Sequence, residues 1–414
     1  MNKKLISNTF YLAISNILSK VLYFGVIFLV IENIGASNYG MYAIALNYIS
    51  LFSLVTIIGF DTVLVKEGSK NIKELENLQN LFFPVRFYWS LLIFIIALIT
   101  LIFINYEKDV KICILIMSPI ILFGGNINSG LSEHFSIVVR VLEKMQYIAY
   151  SSIVRIFIIS SLSGLLFFYD NITVYNFCII LSVVSVCNVL ITYYYSQKFI
   201  KNKFTINISF TLIRDYLKPI LMFGMVTLVF GFGGLIDIAI ISSHLELDVL
   251  GYYSLAITFV GLLINFISSF QVSIYPFIAK SKGDFKMKLG LSYLYVLIAI
   301  VVFNLLVNLV ILDLAVLIIG GKYQFVMELI DVFIWVLPFK VIMSWINVNL
   351  DLENKYNTKL VLALIYLISL ILILKTSIDY YDVFGVIYSL IFSNILIVVI
   401  YFLTMLIKRF RFAT

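Results

Sequence analysis

The chain has 414 residues, of which 62% are apolar and only 12% charged, about half the charged share of a soluble domain. No soluble core needs that much apolar surface, which excludes a soluble globular protein. The net charge of +7 would suit a nucleic-acid partner, but the placement of the charges, set out below, accounts for it without one.

Apolar stretches of roughly twenty residues recur along the whole length, which is what a helix needs to cross a bilayer. In lipid every backbone N–H and C=O must be paired within the protein, so the stretches are predicted to be helices. A barrel would show alternating segments of about ten residues, and none is present. The expected fold class is all-α integral membrane with about twelve transmembrane helices.

In chain order, Met1-Asn2-Lys3-Lys4 opens like a signal peptide. The stretch behind it is too long, carries Asn16 and Lys20, and lacks a small-residue cleavage site, so it reads as a retained first span over 9–31. The next five spans are 39–61, 83–105, 112–134, 148–169 and 173–196. Segment 197–219 mixes Lys198, Lys201, Lys203, Arg214 and Asp215 with Phe199, Phe204, Ile206, Ile208, Phe210 and Leu212. A basic segment with an apolar face is expected to lie in the cytoplasmic interface. Six further spans follow at 220–242, 248–277 (with a cytoplasmic extension past Pro276), 289–312, 325–350, 360–375 and 384–407.

Lys and Arg fall unevenly on alternate connections. The side holding Lys3, Lys66, Arg140, Lys198, Lys286, Lys355 and Arg411 carries 21 of them, and the other carries only Lys108, Lys111, Lys322 and Lys375. This asymmetry places the first side, with both chain ends, in the cytoplasm. The expected location is the bacterial cytoplasmic (inner) membrane.

Shifting the sequence by 211 residues brings Gly40, Tyr42 and Ala45 onto Gly251, Tyr253 and Ala256, and the first six spans close to the last six. Six is even, so both halves enter from the same side and form a parallel repeat. Two six-helix bundles are expected, at 1–205 and 206–414. Such a repeat suits an alternating-access carrier.

The chain offers little for catalysis, and it is not expected to be an enzyme. Gly320-Gly321-Lys322-Tyr323 lacks the spacing and the Ser/Thr of a phosphate-binding loop. Gly231-Phe232-Gly233-Gly234 reads as close helix packing. His134 and His244 have no metal-ligand spacing, and His134 is expected in a solvated pair with Glu133. Cys113, Cys178 and Cys187 are odd in number and scattered, which argues against a disulfide framework or a zinc site. No metal and no cofactor are expected.

Charge inside the spans stands out, because a cation at mid-bilayer costs about 2.5–3.5 kcal/mol on insertion scales. Four basic residues lie there: Lys20, Arg86, Arg155 and Lys340. Asn16, Ser19 and Tyr23 share a helix face with Lys20, and Ser344 and Asn347 share one with Lys340. Both faces are expected to line a cavity. Arg155 sits about two turns inside its span, and Arg86 near a helix end from which it can snorkel. Asp61 is expected at the interface. Asp237 lies deeper and is the candidate ion-coupling group. The fourth span carries Gly124, Gly125, Asn126, Asn128, Ser129 and Gly130, which suggests an irregular, cavity-facing turn.

The sequence resembles the polysaccharide (O-antigen) flippases of the multidrug/oligosaccharidyl-lipid/polysaccharide exporter superfamily. The first match runs from Ile34-Gly35-Ala36-Ser37-Asn38-Tyr39-Gly40-Met41-Tyr42 through Gly59-Phe60-Asp61 to Lys66-Glu67. The family typically has Gly-Pro where this chain has Gly35-Ala36. The second runs from Leu217-Lys218-Pro219 through Ile236-Asp237 and Leu250-Gly251-Tyr252-Tyr253-Ser254-Leu255-Ala256 to Tyr275-Pro276. The resemblance implies a carrier of undecaprenyl-diphosphate-linked sugar repeat units, driven by an ion gradient. It also implies a cationic central cavity, which Lys20, Arg155, Lys340 and Arg86 would supply as substrate-binding residues. The implied partners are the lipid-linked oligosaccharide, membrane lipids and other polysaccharide assembly proteins. A multidrug/cation antiporter would share the fold but favour acids in its cavity. A membrane-bound polysaccharide polymerase would want a large outer loop, which this chain lacks.

Overall fold

A computed structural model of the protein describes residues 3–57, 59–69, 71–125, 129–201, 210–279, 285–308, 323–353 and 355–411. Residues 202–209 of the expected interfacial segment, Gly320–Lys322, Asn126 and Asn128 lie outside these ranges. The described residues form fifteen helical segments and no strand. They are α1 (Lys3–Ile57), α2 (Phe60–Gly68), α3 (Ile72–Phe103), α4 (Lys108–Met117), α5 (Pro119–Phe123), α6 (Gly130–Val141), α7 (Met145–Phe168) and α8 (Val174–Gln197). Then follow α9 (Phe210–Phe232), α10 (Ile236–His244), α11 (Leu247–Ala279), α12 (Phe285–Leu306), α13 (Gln324–Phe333), α14 (Val336–Leu352) and α15 (Tyr356–Arg411).

Twelve spans account for these helices. A helix rises about 1.5 Å per residue, so a straight helix the length of α1 or α15 would far exceed a bilayer. Each contains a break instead, at Gly35 (φ 81, ψ 167) in α1 and at Asp382 (φ 48, ψ −134) in α15. The fourth span is α4, α5 and α6 in series, the seventh is α9 and α10, and the tenth is α13 and α14. The remaining spans are α3, α7, α8, α11 and α12, and α2 is a short helix in the connection between the second span and the third.

The breaks themselves recur at the 211-residue shift. Gly35 falls on Glu246, which separates α10 from α11. Gly124, where α5 ends, falls on Trp335, where α13 has ended and α14 has yet to begin. Asp170 (φ 49) and Asp382 close the fifth and eleventh spans one residue out of step. The helical punctuation therefore repeats far more faithfully than the residue identities do.

The outer faces are apolar. On α3, Leu92, Ile95, Ile96 and Ile99 lie exposed at helical spacing and lead to Ile102 and Phe103, 74% and 82% exposed. A stripe of this kind facing outward is stable only where the surroundings are lipid.

The chain packs as two compact units, Met1–Ala239 and Ile240–Thr414. In the first, α1 lies along α7, and α9 packs on α1 and α2. Asn47 Nδ2 donates to the Leu235 carbonyl at 2.8 Å, beside the turn that separates α9 from α10. Gly231 lets α9 close on α1, since a Cβ there would meet the Leu54 side chain at 2.6 Å. In the second unit α14 packs on α15, α11 and α12.

Candidate substrate site

Lys20 lies in the first span and Arg155 in the fifth. Helix α7 begins at Met145, three residues before the span expected from sequence, so Arg155 sits deeper than its two expected turns. Counted from the first residues of α1 and α7, Lys20 is seventeen positions along its helix and Arg155 ten, roughly 25 and 15 Å, so both lie well away from the helix ends. Lys20 is within electrostatic range of Arg155, and Arg155 within range of Tyr23. Of the polar face predicted for the first span, Asn16 and Lys20 are exposed, Tyr23 is half-buried and Ser19 is buried. Tyr23 is held at its hydroxyl by Tyr42, at 2.8 Å. Tyr42 in turn packs edge-on against Phe177.

Arg155 also reaches the broken fourth span. Its Nη1 donates to the Gly125 carbonyl at 2.6 Å. The break is built by glycine: Gly124 (φ 85) ends α5, and Gly130 (φ 60) opens α6. The peptide unit that follows a terminated helix has no intrahelical partner, and the guanidinium supplies one. The irregular turn predicted from the glycines and the cation predicted in the neighbouring span are thus parts of one arrangement. Among the described residues no carboxylate pairs with Lys20 or Arg155.

The second unit carries Lys340 on α14, half-buried, with its Nζ 5.5 Å from the centre of the Tyr366 ring. A cation over an aromatic face is held by the ring quadrupole. Tyr366 is the residue that the 211 shift superposes on Arg155, so the fifth and eleventh spans use the same position to address the broken span beside them. The tenth-span break has its own cause. Pro338 has no N–H, so the Ile334 carbonyl four residues earlier loses its helical donor. The carbonyl accepts instead from the Leu337 N–H at 3.0 Å and from Asn304 Nδ2 at 2.9 Å. Ser344, one turn beyond Lys340, meets the Tyr293 hydroxyl at 3.3 Å.

Arg86 is placed differently from its expected position near a helix end. Helix α3 starts at Ile72, where the Asn71 side chain accepts from the Glu74 N–H at 2.7 Å. Arg86 is therefore well inside the helix. It is 0% exposed and pairs with Asp61. His134 is not solvated either: it is 0% exposed and lies against Phe83 and Phe135, while Glu133 pairs with Arg140 at 2.7 Å. Asp237 is 3% exposed in the first turn of α10, where one carboxylate oxygen accepts from the Ile238 N–H at 2.8 Å. Tyr42 and Asn304 were not among the residues expected from sequence. Tyr42 stood out in the sequence only through the repeat and the family motif, and Asn304 only as a polar group inside an apolar span.

Among the described residues no group of three or more His, Cys, Asp or Glu side chains could hold a metal ion. Solved structures with the same fold include the lipid II flippase MurJ in an inward closed conformation. It has a TM-score of 0.73 and 20% identity, covering 95% of this chain and 86% of that one. Another is the MATE multidrug transporter DinF-BH, at TM-score 0.70 and 14% identity, covering 99% and 96%. A third is a MOP superfamily transporter from Pyrococcus furiosus, described as having a binding pocket of reversed polarity. It has a TM-score of 0.63 and 13% identity, covering 97% and 95%. Among curated proteins none matches the chain. The family model of the polysaccharide biosynthesis proteins matches residues 5–282, about two thirds of the sequence, and the chain belongs to that family.

Proposed function

We propose that the protein is a flippase. It carries undecaprenyl-diphosphate-linked oligosaccharide repeat units from the cytoplasmic to the outer leaflet, for O-antigen or capsular polysaccharide synthesis, by alternating access. The observation that carries this reading is the pair Lys20 and Arg155, two cations near mid-span with no carboxylate partner among the described residues. A site of this kind repels cations and attracts a multiply anionic diphosphate, for which both side chains are suited. The undecaprenyl chain stays in lipid while the head group meets the two cations. A head group that binds one conformation more tightly than the other shifts the carrier between them.

Lys340 is proposed as a further substrate-binding residue, on the second unit. Arg86 is read as structural, because Asp61 already matches its charge. Asp237 is proposed as the ion-coupling group. The protein is read as a non-enzymatic carrier of the bacterial cytoplasmic membrane, with both termini in the cytoplasm and with other polysaccharide assembly proteins as partners.

Surface glycan is the test. Cells whose only copy carries Lys20→Ala or Lys340→Ala are expected to lose it while the variant protein accumulates at the normal level. Lys20→Arg is expected to keep part of it, because charge matters more than shape to a diphosphate. Normal export from a stable double Ala variant would refute the site. Strict dependence of flipping on ATP hydrolysis by the purified protein would refute the carrier.

A further inference from the structure

The three cysteines are scattered in sequence, but folding brings two of them together. Cys113 lies on α4, five residues past its first residue Lys108, and Cys178 lies on α8, five residues past its cap Thr173. The two helices run side by side in the same direction and in register. The side chains of Asp109 and Tyr175 are close enough to interact. About a turn further on, where α4 packs on α8, the side chains of Cys113 and Cys178 are close enough to interact. A turn beyond that, Ser182 Oγ donates to the Ile116 carbonyl at 2.5 Å. Both thiols are 0% exposed. Cys187 lies further along α8 and takes no part.

The register of the two packed helices, fixed by the Ser182 contact one turn on, sets the two cysteines opposite each other. We propose that Cys113 and Cys178 are a redox modification site, closing to an intramolecular disulfide when an oxidant reaches the pair. Two S–H bonds break and one S–S bond forms. With diamide as oxidant, its N=N unit takes the two electrons and two protons and becomes a hydrazine. In the orientation proposed above, both thiols lie about five residues, or roughly 8 Å, below the outer ends of their helices. That is the side of the membrane where disulfides persist. The bond would tie the outer part of the fourth span, before its break at Gly124, to the sixth span. It would leave α6, beyond the break, uncrosslinked. The two thiols meet in this way whatever the protein transports.

The test counts thiols in washed membranes holding the full-length protein. Membranes are treated with diamide or buffer, denatured in detergent and labelled with a polyethylene-glycol maleimide. Cys187→Ala protein is expected to take two adducts after buffer and none after diamide. Protein with both Cys113→Ala and Cys187→Ala is expected to keep its single adduct under both treatments. Two adducts surviving diamide overturn the assignment, as does a covalent dimer in place of an unchanged monomer.

Discussion

Arg86 and Arg155 take the same side chain into opposite surroundings. Arg86 is enclosed with its charge matched by Asp61, whereas Arg155, among the described residues, donates to a carbonyl and pairs with no carboxylate. Removing one partner of a buried pair costs about 3–5 kcal/mol, because the other charge is left stranded. Arg86→Met is therefore expected to lower the melting temperature and abundance sharply, and adding Asp61→Leu should recover much of the loss. Arg155→Gln keeps a donor for the Gly125 carbonyl and removes the charge. It is expected to spare the melting temperature and reduce glycan export. Parallel loss of both quantities would instead give Arg155 a structural role. The sequence revealed that both arginines lie among apolar residues but not that their fates differ. The charged segment Ile72–Asn80 looks like a connection, yet it is helical from Ile72 onward, and that buries Arg86 deeper than its spacing suggests. The burial of His134 escapes the sequence for a related reason, since its neighbour Glu133 takes Arg140 instead.

Among the helices, the breaks are the informative elements. A Cβ at Gly124 would meet the Ser129 carbonyl oxygen at 2.2 Å, and its φ of 85° already excludes most side chains. Gly124→Ala is expected to destabilise the protein clearly, whereas Gly164→Ala, with nothing within 4 Å of the new methyl, should be tolerated. Melting curves of the two variants in detergent would show the contrast. Asp382 adopts φ 48, ψ −134, a region that glycine enters with little penalty. Asp382→Gly is expected to raise stability by about 1 kcal/mol, the lower end of the cost of such a conformation, and an unchanged or lower melting temperature would contradict that. The glycine-rich break of the fourth span was legible in advance, because the glycines announce it. The tenth-span break was not, since Ile334-Trp335 has ordinary helix-compatible chemistry and its cause lies downstream, in the N–H that Pro338 lacks.

Across the molecule, twelve spans could be read from apolar lengths, and their repeat is reinforced by breaks that no identity count contains. Packing could not be read in the same way. The first compact unit extends to Ala239 and takes in α9, whereas the sequence repeat turns over at 205/206. Uniformly apolar helices do not say which neighbours they choose, and single contacts such as Asn47 to Leu235 fix the choice. The orientation rests on charge asymmetry, and a reporter fused after Phe412 is expected to be active only as a cytoplasmic fusion. An external signal would invert the assignment. The Arg155 contact with Gly125 has a consequence for binding. A guanidinium has five N–H donors and the carbonyl takes one, through Nη1. In the proposed carrier the others would stay available to a phosphate while the carbonyl keeps the long side chain in place. Part of the entropy of ordering that side chain would then already be spent before a head group arrives.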